Sequence, residues 1–75
     1  MVQLEPIVRC KSGSKVQVVR LLLTGGDHLR KITSFGILPG INIEVLQTYP
    51  VYVLKAGCTQ IALDYEIAKN IIVAR

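Results

Sequence analysis

The side chains that could do chemistry are few and scattered along 75 residues, and they begin with Cys10, Cys58 and a single histidine, His28. A nucleophilic pair would have to join His28 to one of the two thiols, and nothing in their spacing supports such a pair. The carboxylates show no paired pattern for general acid–base work. They are Glu5, Asp27, Glu44, Asp64 and Glu66. The sequence therefore predicts no catalytic residues and a protein that is not an enzyme.

Metal binding is the second chemistry that Cys10, His28 and Cys58 could support. Thiolate and imidazole suit transition metals such as Zn²⁺ and Fe²⁺, and an acidic residue could complete a four-coordinate set. The spacing matches no zinc motif, so we predict ordinary structural roles for the three residues and no bound cofactor. In a cytosolic protein both thiols are expected to stay reduced. Direct binding of Fe²⁺ or another divalent transition metal remains the open alternative.

Charge and hydropathy patterns argue against several other classes of ligand. The chain contains no GxxxxGK[ST] stretch for nucleotide phosphates. Its net charge is +4, but the basic residues are spread out and Arg30-Lys31 is the only adjacent pair, which favours a solvated surface over a nucleic-acid footprint. No apolar run approaches the ~18 residues of a membrane span. "MVQLEP" has no secretory character, so we expect a cytoplasmic protein that does not span the membrane.

The elements that carry these side chains form one domain, residues 1–75, because the length suits a single small core. In "KVQVVRLLL" the apolar positions change phase between Val18 and Val19. A change of phase moves side chains to the other face of a strand, so we predict a bulge or sharp bend at this point. Gly25-Gly26 then ends the strand.

A short helix is predicted next. Asp27 is a good N-cap, and Leu29, Ile32 and Phe35 recur every three residues, which places them on one face. Gly36 can adopt the left-handed conformation that ends a helix.

Two further turns are predicted from glycine and proline. Residues 38–41, Leu-Pro-Gly-Ile, suit a type II turn in which Pro39 fixes φ and Gly40 supplies a positive φ. A half-buried strand with alternating apolar residues follows the turn. Gly57 is the predicted positive-φ residue of a hairpin between strands at residues 51–54 and 60–63.

The end of the chain adds a helix and one more strand. Asp64 can cap a one- or two-turn helix, and residues 71–73 form a terminal strand. The fold class is therefore mainly β, a small barrel or sandwich of about five short strands with one or two short helices.

These motifs together resemble those of FeoA domains, the small cytosolic proteins of bacterial ferrous iron transport. The similarity runs from about Lys11 to Val73. It includes "GSKVQVVRL", then "GILPG" at residues 36–40, and then "IAL" followed at the family's distance by "A" and "I.V". The chain departs from the family pattern at Asp64, where an arginine often follows the "AL" pair.

The resemblance implies an SH3-like barrel and a role as an accessory to the membrane transporter FeoB, acting by protein–protein interaction. We expect the contact surface to include Arg30, Lys31, Leu38 and Pro39, because a rigid turn beside a short helix presents apolar and basic groups at little entropic cost. The expected partner is FeoB and not nucleic acid. Weak homo-oligomers of this protein are also compatible with the sequence.

Two other functions remain open at this stage. One is a transition-metal-binding or metal-sensing domain, since a similar domain is appended to iron- and manganese-dependent repressors of the DtxR type. The chain has no room for a DNA-binding domain of that kind, which favours the standalone form. The other is a peptide-binding barrel unrelated to iron.

Overall fold

The computed structural model describes residues 3–22 and 26–75, and Leu23 and Gly25 of the predicted strand end lie outside these ranges. The strands are β1 (Leu4–Pro6), β2 (Lys15–Leu21), β3 (Asn42–Gln47), β4 (Tyr52–Ala56), β5 (Thr59–Leu63) and β6 (Ile71–Ala74). The α-helices are α1 (Gly26–Ser34) and α2 (Tyr65–Ala68), and a single 3₁₀ turn covers Ile7–Arg9.

All six strands belong to one antiparallel sheet in the order β1-β6-β2-β3-β4-β5. The mainly β fold with two short helices is confirmed and is consistent with an SH3-like architecture. Between β2 and β6 the register shifts from Val18 to Arg20, which leaves Val19 as an extra residue. The bulge predicted from the phase change in β2 is therefore confirmed.

The core lies on one face of this sheet. Alternate residues of the strands point into it, among them Val18, Val45, Leu54 and Val73, each at most 1% exposed. Ile7 of the 3₁₀ turn, Ile32 of α1 and Ala68 of α2 cover this face. No polar or charged residue is buried among the described positions. The helices are thus held by apolar contacts, as expected for helices too short to be stable alone.

The N-terminal strand β1 has no counterpart in the prediction from sequence. Residues 4–6 pair with residues 72–74 at the other end of the chain, with Glu5 opposite Val73. Three residues are too few to show an alternating pattern, and their partner strand is distant in sequence.

Neither helix in the described ranges is long and apolar enough to cross a bilayer.

The start of α1 differs from the prediction. The helix begins at Gly26, so Asp27 lies in its first turn and not at the N-cap. A carboxylate there still interacts favourably with the positive end of the helix dipole. Phe35 was expected to face inward with Ile32, but it follows the last helical residue and remains 39% exposed. The helix ends too early to keep Phe35 on its buried face.

Candidate docking surface

The basic side chains Arg30 and Lys31 lie in the second half of α1, and both are exposed. The ion pairs found among the described residues join Lys69 to Glu66 and Arg75 to Glu5. Arg30 and Lys31 therefore carry positive charge that no carboxylate of the described chain neutralises through an ion pair. Such charges are available to an acidic partner.

The end of α1 fixes the backbone that leads from these cations to the predicted turn. The Gly36 amide donates to the Thr33 carbonyl (3.0 Å), and the Ile37 amide donates to the Ile32 carbonyl (3.3 Å). These two bonds, with Gly36 at φ +87°, form a Schellman motif. The side chains of Ile32 and Ile37 are both fully buried. The helix end is thus anchored to the core on each side of Gly36.

The turn at residues 38–41 is tied to strand β2. Within it the Ile41 amide donates to the Leu38 carbonyl (3.1 Å), and Gly40 has φ +96° as a type II turn requires. The Gly40 amide donates to the Val18 carbonyl (2.7 Å), and the Gln17 side-chain amide donates to the Gly40 carbonyl (3.0 Å). Pro39 therefore sits at the exposed tip of a turn that hydrogen bonds hold from both sides.

Large apolar side chains are exposed along this same segment. Leu38 is 44% exposed, and Phe35 and Ile41 are also partly in solvent. Val19 is exposed too, because it continues the outward phase of Lys15 and Gln17 in β2. We call Arg30, Lys31, Phe35, Leu38 and Pro39 the docking surface. Cations with exposed apolar groups on a fixed backbone have the composition of a protein contact site.

Phe35, Ile41 and Val19 were missed as surface residues by the sequence analysis. Helical spacing assigned Phe35 to the core, and strand alternation assigned Ile41 to a half-buried face. The signal for Val19 was present, since the alternation of Lys15, Val16, Gln17 and Val18 continues to Val19 and gives it the outward phase. Phe35 is exposed because α1 ends at Ser34, and Ile41 is exposed because it precedes the first residue of β3.

The three candidate metal ligands are not brought together. Cys10 follows the 3₁₀ turn and is buried, His28 is exposed on α1, and Cys58 is exposed in the β4–β5 turn. Within residues 3–22 and 26–75 no group of three or more His, Cys, Asp or Glu side chains could hold a metal ion. Both cysteines are free thiols. Cys10, His28 and Cys58 therefore do not fit a shared metal site.

Cys10 also has the wrong electrostatics for a metal ligand. Burial raises the pKa of its thiol above the ordinary value, and the negative charge of Glu5 raises that pKa further. The Cys10 Sγ lies 3.7 Å from Glu5 Oε1, to which the thiol donates, and Arg75 Nε lies 2.8 Å from the same carboxylate oxygen. Because metals bind the thiolate, a raised pKa disfavours coordination at Cys10.

An open cleft of about 290 Å³ lies across strands β2, β3 and β4, and none of the docking-surface residues lines it. Its lining residues are Lys15, Asn42, Ile43, Glu44, Lys55 and Gly57. Glu44 is opposite Lys15 in one strand pair and opposite Lys55 in the other. The cleft thus exposes one carboxylate between two lysines and resembles an ordinary charged sheet surface more than an enclosed site.

The family model for the FeoA domain matches residues 6–75, nearly the whole chain. No curated protein sequence matches this chain. A crystal structure of an iron uptake regulatory protein, FeoA, superposes with a TM-score of 0.83 at 27% identity, covering 95% of both chains. The NMR structure of a FeoA-like protein from Clostridium acetobutylicum has a TM-score of 0.81 at 25% identity, covering 97% of this chain and 87% of that one.

A manganese-dependent transcriptional repressor also contains this fold. The match has a TM-score of 0.82 over 97% of this chain and 42% of the repressor, at 20% identity. At that identity the similarity shows the fold alone.

Proposed function

The chain belongs to the FeoA domain family, whose role is in ferrous iron transport, and we propose that it acts there as a non-enzymatic cytoplasmic adaptor that docks onto the membrane transporter FeoB. In this mechanism the protein binds to the transporter and catalyses no reaction. The adaptor contributes a preformed surface, and binding changes how the transporter is held or how it moves.

The observation that carries the proposal is the composition and rigidity of the docking surface. Arg30 and Lys31 lack ion-pair partners in the described chain, and Leu38 exposes nearly half of its side chain close to them in sequence. The Schellman motif and the type II turn fix the backbone in between. A surface ordered before binding loses less conformational entropy on association, so more of its contact energy appears as affinity.

The charge pattern specifies the partner's chemistry. Two adjacent cations, close in sequence to exposed Phe35 and Leu38, would fit an acidic segment that also offers apolar side chains. Association through exposed charges is screened by salt, with a Debye length of about 8 Å at physiological ionic strength. We therefore expect the affinity for FeoB to fall as salt is added.

The direct test is retention of this protein by the immobilised cytosolic part of FeoB, followed by titration. Arg30→Glu and Leu38→Ser should each lower the affinity about tenfold, which corresponds to about 1.4 kcal/mol. Lys11→Glu makes the same charge reversal at an exposed residue outside the docking surface and serves as the matched control. All three variants should keep the wild-type circular dichroism spectrum.

Two results would contradict the proposal at different levels. If Lys11→Glu weakens binding as much as Arg30→Glu does, net charge and not the docking surface determines the affinity. If FeoB does not retain the wild-type protein at any salt concentration, the adaptor role itself is wrong.

Direct handling of a metal ion is the alternative function, and the described residues give it little support. Cys10, His28 and Cys58 lie apart, and burial opposes ionisation of Cys10. Anaerobic titration with Fe²⁺ would separate the two functions. Stoichiometric binding that is lost in Cys58→Ser or His28→Ala would favour metal handling.

A further inference from the structure

The two edge strands of the sheet, β1 and β5, are protected to different degrees. β1 is three residues long, ends in Pro6, and carries Glu5, which pairs with Arg75. β5 is five residues long, with the sequence Thr-Gln-Ile-Ala-Leu, and contains neither a charge nor a proline. Natural sheets guard their edges with charges, prolines, bulges or short strands. β5 has none of these features.

The hairpin geometry identifies which backbone groups of β5 point away from β4. Ala56 and Thr59 flank a two-residue turn, so they exchange both of their backbone hydrogen bonds. The register continues without interruption to Tyr52 opposite Leu63. By the two-residue alternation of an antiparallel pair, the amides and carbonyls of Gln60 and Ala62 face the open edge.

The outward groups of Gln60 and Ala62 have no backbone partner within the described ranges. β5 pairs with β4 alone, and neither residue takes part in a turn or loop hydrogen bond. Their side chains, like that of Thr59, are exposed. Two donors and two acceptors are therefore presented in a row on an uncharged strand.

We propose that β5 pairs with β5 of a second copy of this chain, antiparallel and about a two-fold axis at Ile61. In this register Gln60 lies opposite Ala62 of the second copy, and Ala62 lies opposite its Gln60. Both are hydrogen-bonded pairs, so the four outward groups of each copy are all satisfied. The joined strands extend the six-stranded sheet across the axis.

Three properties of β5 favour a second copy as the occupant. The free groups are self-complementary about one residue, which is the condition for an isologous contact. Ile61 and Leu63 stay on the core face of both sheets, whereas Gln60 and Ala62 stay on the outer face. No like charges meet between residues 59 and 63.

Size and charge make the dimer weak and give it a distinctive salt dependence. A single pair of five-residue strands buries far less than the roughly 1,200–2,000 Å² of a stable interface, so pairing requires millimolar protein. Each copy carries a net charge of +4, and salt screens the resulting repulsion. Dimerisation should therefore strengthen with salt, whereas docking onto FeoB should weaken, which keeps the two proposals separately testable.

An isotope-filtered NMR experiment on a mixture of labelled and unlabelled protein tests the register. The two-fold pairing places Thr59 opposite Leu63 of the second copy in a non-hydrogen-bonded pair, where α-protons are close. Within one chain these α-carbons are four strand residues apart, about 13 Å at ~3.3 Å per residue. A contact between the α-protons of Thr59 and Leu63 can therefore arise only between copies. It should appear at millimolar protein and disappear on dilution.

A matched pair of variants tests the backbone hydrogen bonds. Ala62→Pro removes one outward donor at an edge position that tolerates proline, and it should abolish the contact between copies while the fold is kept. Ala62→Ser keeps the amide and should preserve the contact. If wild-type protein at millimolar concentration and high salt shows no such contact, or if the Gln60 and Ala62 amides gain protection from exchange only when a different protein is added, the self-pairing proposal is wrong.

Discussion

The Gly40 amide donates a hydrogen bond to the Val18 carbonyl at 2.7 Å, and the Val18 amide donates to the Ile41 carbonyl at 2.8 Å. These two bonds, one to each of two successive residues, tie the turn before β3 to the residue of β2 that directly precedes the bulged Val19. The same two hydrogen bonds therefore hold both the exposed turn at Pro39 and the bulge in β2. A substitution at Gly40 should change the conformation of both.

Gly40→Ala tests this turn. Gly40 has φ +96°, and an alanine there is strained even though its Cβ would meet no atom within 4 Å. Positive φ in a non-glycine residue costs about 1–3 kcal/mol, so the free energy of unfolding in urea should fall by about that amount. Pro39→Ala, at the neighbouring position, should cost less than about 1 kcal/mol. Equal losses in the two variants would mean that the positive φ of Gly40 is not what stabilises the turn.

Asp64→Ala tests the cap of α2. The Asp64 carboxylate accepts a hydrogen bond from the Ile67 amide, with a distance of 3.0 Å to Oδ1. Loss of such a cap costs about 0.5–2 kcal/mol, measured as the free energy of unfolding.

Two further substitutions at Asp64 separate capping from charge. Asp64→Asn keeps an acceptor and should be close to wild type. Asp64→Arg lacks the acceptor and should resemble Asp64→Ala. If Asp64→Arg were as stable as wild type, the cap would contribute nothing at this position.

The two thiols should differ sharply in reactivity. Cys58 is exposed in the β4–β5 turn, whereas Cys10 is 3% exposed and its pKa is raised by burial and by Glu5. Thiolate is the reactive form, so a maleimide at neutral pH should modify Cys58 and leave Cys10 free until the protein unfolds. Mass spectrometry after partial modification gives the result, and Cys58→Ser provides the control. Rapid modification of Cys10 in folded protein would contradict the structure.

Cys10 should also make stability depend on pH at the alkaline end. Its folded-state pKa lies above the ordinary value of 9.0, so the unfolded chain loses this proton first as pH rises. The contribution of the neutral thiol is therefore complete below about pH 9 and is lost as pH rises through the folded-state pKa. Urea midpoints measured from neutral pH upward should fall more steeply for wild type than for Cys10→Ala. Parallel curves would show that the thiol is not responsible.

The features that sequence alone determined are local ones. Gly36 and Gly40 have the positive φ that their turns require, Asp64 caps α2, and the phase change at Val18 marks a bulge. Each depends on backbone sterics or on a hydrogen bond between residues close in the chain, so residue type at a known spacing is enough to predict it.

Tertiary structure decided which ends of the chain meet and which apolar side chains remain in solvent. β1 exists because residues 4–6 find β6 at the far end of the chain, and Phe35 is exposed because α1 ends at Ser34. The open edge of β5 is likewise a consequence of strand order. Strand pairing and strand order depend on contacts between residues distant in sequence, which no local pattern of residue types specifies, whereas the exposure of Phe35 depends on the residue at which α1 ends.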